Sequence, residues 1–576
     1  MKSYHNSATQ KNRIPIIAII FFVLILGIFC RVIQIQGFKH GYYQKLAAAQ
    51  HWIKDEIPAK RGKIYAQDTI SNTPYLLATN QALDLVFVEP NKLEDKDKAA
   101  QFLSEVLGMN KGEIFDLFKT SKTYVPIKHK LTLEQGDTIR NKKMMGIGLT
   151  AENWRYYPEK NLASSILGFV NGEFKGNYGL EEYFDKELSG IPGVLREEAD
   201  HSGVKIAFGD NITKLPVDGN DFYLTIDRYI QGQAQQLLDD AIKKYGAPSG
   251  QVIVMDPKTG KILALADNPN FDPNRYSEIK LNNYNVFKNS AVSDTYEPGS
   301  VFKVITMAAG LDAKKITPET KYTDTGSVTL NGYTIRNSDL KAHGVCDMTS
   351  VLSNSLNTGS TWVQQKLGKD SFYNYVNLFG FGTPTGIELP GEVGGVVHSP
   401  KETNDFGYAN MSFGQGISTT PLQMITSFSA IANSGKMMKP YIVDKTADNN
   451  KNKTEITKPK EIRQVISPQA ASDLTKMMID VVEHGHGFQA KISGYKVAGK
   501  TGTAQVPDPN GGYSSSKNIG TFIGFAPASD PKFVVLAKLD EPKGVPWAEE
   551  SAAPVVGSML SYLLNYYQIP PTEKVN

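Results

Sequence analysis

The hydrophobic positions of this chain first concentrate near its N-terminus. Residues 14–30 form an apolar run without a charged side chain, bounded by Arg13 and Arg31. The run is at the short end of the roughly 17–25 residues that span a hydrocarbon core. It can continue through Ile33 and Ile35 if the Arg31 side chain reaches the membrane interface. The pattern predicts a transmembrane helix over residues 14–36.

A cleaved signal peptide is the alternative interpretation of this segment. The run is longer than the roughly 7–15 apolar residues of a signal peptide, and no small-x-small cleavage site follows it. We therefore favour an uncleaved anchor. Basic residues lie on both sides of the run, so the positive-inside rule discriminates weakly between orientations. We expect the tail, residues 1–13, to stay in the cytoplasm and the remaining chain to lie outside.

Beyond the anchor the pattern changes near residues 245–250, a turn-rich stretch with Gly, Pro and Ser. Two apolar runs follow, 251–256 and 261–266, and the turn residues between them predict a β-hairpin. Helical and strand patterns then mix up to an apolar helix near residues 552–567. We predict that residues 444–460, rich in Asn, Lys and Thr, form a solvated loop.

Composition narrows the class of protein. Apolar residues make up 40% of the 576 positions and charged residues 21%, which describes a globular chain of two or three domains. A net charge of +3 gives no reason to expect nucleic acid as a partner. The two cysteines, Cys30 and Cys346, form neither a disulfide framework nor a zinc site.

The first candidate for chemistry is Ser300 with Lys303, an S-x-x-K motif that follows a Pro-Gly turn and opens a helical stretch, 301–311. Residues three apart share a helix face, so the two side chains can meet. The N–H groups at a helix start favour developing negative charge. A partly desolvated lysine there can accept a serine proton. The alternative is a capped surface helix with a solvated lysine.

A second candidate is Ser355-Leu356-Asn357, after an apolar stretch that is typical of a helix end. A hydroxyl and an amide two residues apart at a helix–loop junction can face one cleft, and ordinary polar capping is the alternative.

The third candidate is Lys500-Thr501-Gly502-Thr503, and it has a competing interpretation. Residues 494–501 also match the phosphate-loop pattern G-x-x-x-x-G-K-[ST]. That loop needs a helix directly after it, whereas Pro507, Pro509 and two glycines follow here. We therefore predict a strand whose ammonium, hydroxyl and N–H groups suit a carboxylate and an oxyanion.

The three motifs occur in the order that marks class A β-lactamases and penicillin-binding proteins. With Glu297 the first becomes E-P-G-S-x-x-K, and residues 500–505 read K-T-G-T-A-Q. In these details the chain resembles the class B penicillin-binding proteins, the monofunctional peptidoglycan D,D-transpeptidases, most like the septal, FtsI-like type. Further stretches resemble motifs of this family: 61–65, 155–158, 179–181, 188–190, 414–416 and 420–423. The R-G-x-I-x-D-R-x-G motif departs from the family pattern at residues 66–68.

The resemblance implies an α+β fold with a single transmembrane helix. It also implies an elongated mixed α/β pedestal (dimerisation-like) domain, and a β-lactamase/transpeptidase-like domain whose antiparallel sheet is packed between helices. The domains expected are a cytoplasmic tail (1–13), an anchor (14–36), the pedestal (37–244), the transpeptidase domain (245–568) and a C-terminal tail (569–576).

The resemblance also implies a role for each candidate residue. Ser300 attacks the carbonyl between two terminal D-alanines, and Lys303 accepts its proton. Ser355, assisted by Lys500, relays a proton to the leaving amine, and Asn357 holds the donor peptide's amide. Thr501, Gly502 and Thr503 form the substrate-binding strand, with the N–H groups of Ser300 and Thr503 as the oxyanion hole.

We expect no cofactor and no metal, since His484 and His486 lack an evident third ligand. The expected ligands are peptidoglycan stem peptides and β-lactams. The expected partners are a separate glycosyltransferase and other cell-wall synthesis or division membrane proteins. The expected location is the cytoplasmic (inner) membrane, single-pass, with the catalytic domain extracytoplasmic. Alternatives are an elongation-type transpeptidase, a D,D-carboxypeptidase or β-lactamase-like hydrolase, a β-lactam sensor and a division scaffold.

Overall fold

The computed structural model of the chain describes residues 13–43, 52–198, 211–507 and 512–573. The strands are, in chain order, β1 (Trp52–Ile57), β2 (Ile64–Gln67), β3 (Tyr75–Val88), β4 (Val125–Lys128), β5 (Ile147–Tyr156), β6 (Phe169–Val170), β7 (Gly176–Asn177), β8 (Gly193–Glu198), β9 (Asn211–Lys214), β10 (Asp221–Asp227), β11 (Ser249–Met255), β12 (Ile262–Asn268), β13 (Lys321–Asp324), β14 (Ser327–Leu330), β15 (Tyr333–Arg336), β16 (Gly344–Asp347), β17 (Lys436–Met438), β18 (Val443–Asp448), β19 (Lys453–Ile456), β20 (Glu461–Gln464), β21 (Ala498–Pro507), β22 (Tyr513–Ala526) and β23 (Phe533–Asp540).

The α-helices are α1 (Arg13–Ile33), α2 (Lys96–Leu107), α3 (Lys111–Leu117), α4 (Leu133–Lys142), α5 (Ser164–Leu167), α6 (Gly179–Tyr183), α7 (Asp185–Ser189), α8 (Arg228–Tyr245), α9 (Ser290–Ser293), α10 (Lys303–Asp312), α11 (Met348–Ser353), α12 (Asn357–Leu367), α13 (Lys369–Leu378), α14 (Asp405–Met411), α15 (Pro421–Ala432), α16 (Pro468–Glu483) and α17 (Ala548–Tyr566). A π-helical turn, Gln34–Phe38, and four 3₁₀ stretches, Pro273–Glu278, Leu281–Phe287, Gly299–Phe302 and Phe488–Ala490, are further helical elements.

Two compact units make up the chain. The first comprises residues 1–59 and 190–218 and contains α1 and the antiparallel sheet β1-β8-β9. The large apolar side chains of α1 are exposed along the helix, from Ile16 at 56% to Ile33 at 47%. Within the described residues α1, with the π turn after it, is the single stretch long and apolar enough to cross a membrane. The helix predicted over residues 14–36 is confirmed as a helix.

The second unit comprises residues 60–189 and 219–576 and contains a seven-stranded sheet. Its strand order is β19-β18-β10-β2-β3-β4, and β5 pairs with β3. Helices α2, α3 and α4 cover one end of this sheet, around Leu103, Ile114 and Ile139. The loop predicted over 444–460 is wrong, because β18 and β19 form a β-hairpin there and β18 pairs with β10. Its polar residues follow from its position, since β19 lies at the open edge with exposed side chains.

A buried ion cluster links three of the stretches noted in the sequence. The carboxylate of Glu181, fully buried, accepts from Nε of Arg61 and Nε of Arg155, each at 2.6 Å. Burial alone would raise the pKa of Glu181, but the guanidinium groups of Arg155 and Arg61 outweigh it and the pKa is lowered. The cluster therefore fixes the start of β2, the end of β5 and α6 against one another.

The five-stranded antiparallel sheet β12-β11-β23-β22-β21 also lies in the second unit. Alternate residues of its strands face opposite sides. Val252 and Val254 pack with α8 and α17 in one core. Ile253 and Met255 pack with α10, α15 and α16 in the other. The prediction of an antiparallel sheet packed between helices is confirmed, as are the hairpin β11–β12 and the C-terminal helix α17.

Capping residues fix where the surrounding helices begin and end. Asp227 accepts from two N–H groups at the start of α8, and Gly246, with φ 57°, ends that helix in the left-handed conformation. Thr420 and Gln423 form a capping box at α15 with Pro421 at its first position. The domain boundary at residue 245 stays a prediction, and α8 before it packs on the five-stranded sheet.

Candidate active site

Ser300 lies in the 3₁₀ turn Gly299–Phe302, which runs directly into α10. Gly299 has φ 59° and donates its N–H to the carbonyl of Gly414 at 3.0 Å. Phe302, the last residue of the turn, is fully buried against Phe381, with ring centroids 5.1 Å apart. The turn is therefore held from both sides while Ser300 remains half-buried at the surface of the site.

Lys303 is the first residue of α10 and is fully buried. Its Nζ donates to the carbonyl oxygen of Ser355 and, at 3.2 Å, to the Ser355 hydroxyl. Ser355 stands between α11 and α12 with φ 55°, a left-handed conformation that costs a non-glycine residue about 1–3 kcal/mol. That conformation presents both Ser355 oxygens to Lys303.

Lys500 reaches the same hydroxyl from the other side. It lies on β21, the edge strand of the five-stranded sheet, and is fully buried. Its Nζ donates to Ser355 Oγ at 3.1 Å and to the carbonyl of Thr501 at 3.1 Å. Two lysine amines thus converge on one hydroxyl, which joins residues from all three sequence motifs.

The two amines cannot both carry a charge at low cost in this position. Burial, and after it the ammonium group of Lys500, holds the pKa of Lys303 well below the usual lysine value. Burial also lowers the pKa of Lys500 to about 7, against a smaller opposing effect of the Glu549 carboxylate. The pair therefore places Lys303, which loses its proton more readily than an ordinary lysine, beside Lys500, which titrates near pH 7. A neutral amine next to a serine turn can take up a proton.

The K-T-G strand also packs directly on the Ser300 turn. A β-carbon at Gly502 would lie 2.8 Å from the carbonyl oxygen of Pro298, so this approach requires glycine. A β-carbon at Gly299 would lie 3.1 Å from the Thr503 carbonyl oxygen. The open edge of β21 thus runs beside the candidate nucleophile, where strand N–H groups can receive an extended ligand.

The remaining predicted residues have contacts of their own. Asn357 begins α12 and donates its Nδ2 to the carbonyl of Arg336 at 2.8 Å, which ties it to β15. Thr503 Oγ1 accepts the N–H of Ala548 at 3.0 Å, at the start of α17, and keeps its own proton to donate. Within the described part of the chain, the structure records no side-chain hydrogen bond for Ser300. The roles assigned to these residues stay predictions.

The structure adds contacts that the sequence did not indicate. Glu297 accepts from the N–H of Gly416 at 2.9 Å and from the hydroxyl of Tyr513 at 3.0 Å. These contacts join the segment before the Ser300 turn to the loop at Gly416 and to the first residue of β22. Glu297 has a signal in the E-P-G-S motif, but nothing marks Tyr513 beforehand, because its partner lies more than 200 positions away.

Two alternatives for the motifs can be judged directly. The phosphate-loop interpretation of Lys500 is excluded, because this lysine lies within β21 and the strand continues from it to Pro507, where that loop requires a helix. His484 and His486 pair with Asp480 and Glu549, each at 2.7 Å. The described ranges contain no group of three or more His, Cys, Asp or Glu residues that could hold a metal ion.

Residues 250–561 match the penicillin binding protein transpeptidase domain, and residues 56–224 match the penicillin-binding protein dimerisation domain. Stage V sporulation protein D of Bacillus subtilis is 34% identical over 94% of this chain and 84% of its own length. The peptidoglycan D,D-transpeptidase FtsI homolog of Mesostigma viride is 31% identical over 82% of this chain and 83% of its own.

The chain is also similar in structure to a solved penicillin-binding protein. Penicillin binding protein 3 from Mycobacterium tuberculosis, complexed with aztreonam, has a TM-score of 0.70 at 27% identity, covering 90% of this chain and 99% of that one. The likeness extends over both matched regions.

Proposed function

Because the chain belongs to the family of penicillin-binding protein transpeptidases, we propose that it is a peptidoglycan D,D-transpeptidase that works through an acyl-enzyme at Ser300. The observation that carries this proposal is the meeting of Lys303 and Lys500 at the Ser355 hydroxyl, beside the Ser300 turn. β-Lactams, which the family binds, acylate the same serine in this proposal.

Acylation begins with Ser300 Oγ attacking the carbonyl carbon between the two terminal D-alanines of a stem peptide. The Ser300 proton passes to Lys303 Nζ, because burial and the charge of Lys500 lower the pKa of this amine and so favour its neutral, proton-accepting form. The N–H groups of Ser300 and Thr503 stabilise the negative charge on the carbonyl oxygen. The Thr501 and Thr503 hydroxyls and the Lys500 ammonium hold the terminal carboxylate, and Asn357 holds the donor's amide.

The tetrahedral intermediate collapses when the C–N bond breaks and the terminal D-alanine leaves. Its nitrogen takes a proton from the Ser355 hydroxyl, which lies within hydrogen-bond distance of both lysines and is reprotonated by one of them. An amine of a neighbouring stem peptide then attacks the ester and loses a proton along the same path. The new amide cross-links two strands, and Ser300 regains its proton.

The apolar helix α1 supports a single-pass anchor in the cytoplasmic membrane, with the transpeptidase domain on the outer side. Likeness to an FtsI homolog supports a septal role. Glycan polymerisation then requires a separate glycosyltransferase, which acts alongside other division proteins in the membrane.

Turnover of a D-Ala-D-Ala peptide with and without an acceptor amine tests the proposal against a hydrolase. We expect the acceptor to divert most of the released acyl groups into the transfer product, measured by mass spectrometry. A matched peptide ending in D-Ala-L-Ala should give neither product. Hydrolysis at the same rate regardless of acceptor would contradict a transpeptidase and favour a D,D-carboxypeptidase.

The two lysines predict a pH dependence for penicillin acylation. The rate should fall as the pH rises above about 7, where Lys500 loses its proton, while the lowered pKa of Lys303 keeps that amine available as a base at lower pH than an ordinary lysine. Above this pKa the rate should drop about tenfold per pH unit if the Lys500 ammonium is required. Stopped-flow acylation rates from pH 5 to 9 give the profile, and a flat profile would contradict these assignments.

The lowered pKa of Lys500 also determines how the free energy of unfolding depends on pH. The pKa of Lys500 is lower in the folded chain than in the unfolded one, so the unfolded chain binds more protons between pH 7 and 10.5. The free energy of unfolding contributed by Lys500 therefore rises as the pH increases through this window.

A further inference from the structure

A second concave site lies in the same compact unit, and its lining shares no residue with the serine and lysine cluster. It is a cavity of about 400 Å³ bounded by the two-stranded ribbon β17–β20, the loop 379–385 and helix α15. None of its lining residues belongs to the three motifs of the active site. Three of the lining residues carry a positive charge: Lys439, Lys460 and Arg463.

The ribbon explains why these cations face one way. Met437 pairs with Arg463, and Met438 pairs with Glu461, so the register shifts by one residue between the two pairs. The next N–H, that of Lys439, donates to the carbonyl of Lys460 at 2.8 Å. A bulge of this kind re-aims side chains locally. Here it places Lys460 on the side of the ribbon that Arg463 and Lys439 already occupy.

No acidic side chain is among the residues that line the cavity. Glu461, between the cations in the chain, pairs with Lys436 at 3.3 Å and does not line the cavity. Glu388 interacts electrostatically with Lys439, but its carboxylate accepts the N–H of Ile442. Within the described ranges, no carboxylate lies within 4.0 Å of the charged nitrogens of Lys439, Lys460 or Arg463.

The threonine hydroxyl groups that line the cavity already donate hydrogen bonds within the protein. Thr383, Thr385 and Thr426 donate to Gly380 O, Glu392 and Leu422 O. Arg463 donates long hydrogen bonds, 3.3 and 3.5 Å, to the carbonyls that end α13. Among the described residues, the side-chain donors at the cavity without a recorded partner include the ammonium groups of Lys439 and Lys460 and the Nε and Nη2 of Arg463. They lie next to the apolar side chains of Phe379 and Ile462.

From this arrangement we infer a second binding site that takes a compact polyvalent oxyanion, with two or more carboxylate or phosphate groups. Like charges facing one another across a ribbon repel, and an anion between them relieves that repulsion. The apolar wall accommodates the carbon part of the ligand. The site is separate from the proposed transpeptidase chemistry and does not depend on it.

Calorimetric titration of the full chain in detergent with citrate and with pyrophosphate tests the inference. We expect saturable one-site binding with a Kd of about 1 mM or below for at least one probe. Binding of citrate alone indicates a carboxylate ligand, and binding of pyrophosphate alone indicates a phosphate ligand. Binding of both indicates a site that selects its ligand by negative charge. Any of these three results supports the site.

Variants locate the binding. K439Q/K460Q should weaken it at least tenfold, whereas K458Q, which removes an exposed lysine of the same segment outside the cavity, should leave it unchanged. The single variant K460Q, at an exposed position, should weaken it severalfold without affecting folding. Penicillin acylation should be unaltered throughout. No saturable binding by either probe, or equal weakening in K458Q and K439Q/K460Q, would overturn the inference.

Discussion

Replacing Ser300 by alanine should abolish covalent labelling by a fluorescent penicillin. The proposed nucleophile is the hydroxyl oxygen of Ser300, the single oxygen of its side chain. Loss of a serine nucleophile lowers turnover by about 10⁶-fold in a well-studied hydrolase. Labelling of the variant should therefore fall below detection on a gel. The fold should persist, because Ser300 is half-buried and its turn is held by Gly299 and Phe302.

The matched control is Ser293→Ala, which removes a serine hydroxyl on α9 whose contact is the neighbouring Asp294. This variant should label like the wild type. Mass spectrometry of the wild-type adduct should place the added mass on the peptide that contains Ser300. An adduct that survives in Ser300→Ala, or maps to Ser355, would remove Ser300 from the proposed mechanism.

Much of this site follows from local sequence. The turn before Ser300, the helix after it and the strand at Lys500 each have short-range signals: Pro298-Gly299, an apolar helical stretch, and the prolines beyond residue 506. The structure confirms these elements. Order along the chain and the family resemblance were enough to name the candidate residues.

The electrostatics of the site could not be derived from sequence. That Lys303 and Lys500 share the Ser355 hydroxyl depends on contacts between residues 52 and 145 positions apart. Their pKa shifts come from burial by several helices and a sheet, which no local pattern reports. The cation face of β17–β20 depends in the same way on a one-residue shift in strand register.

At the hairpin β18–β19, residues 443–456, the local sequence predicted the wrong conformation. Its composition is typical of a loop because β19 lies at a sheet edge, where exposed Asn, Lys and Thr cost nothing in burial. Pairing between β18 and β10 is a tertiary contact across more than 200 positions, and it decides the conformation. Local propensity therefore identified the exposure of this segment but not its structure.

The second large effect is expected at Lys303. Lys303→Met keeps an unbranched side chain that can fill the space of the lysine's apolar stem, but it removes the amine that contacts Ser355. General-base catalysis contributes about 10²–10⁴-fold, so the second-order acylation rate should fall by about that factor while Ser300 remains able to react. Prolonged incubation should still give the adduct, unlike Ser300→Ala.

Stability separates this expectation from simple damage to the fold. Methionine avoids the desolvation cost of the buried amine, but it leaves the Ser355 carbonyl without its donor, a loss of about 1–3 kcal/mol. These effects oppose each other, so the Tm measured by scanning fluorimetry should shift by a few degrees at most. The matched control Lys315→Met, at an exposed lysine just beyond α10, should change neither the Tm nor the rate. An unchanged acylation rate in a folded Lys303→Met variant would mean that another group takes the Ser300 proton. Lys500 would then be the nearest candidate, because its amine reaches Ser355 as well.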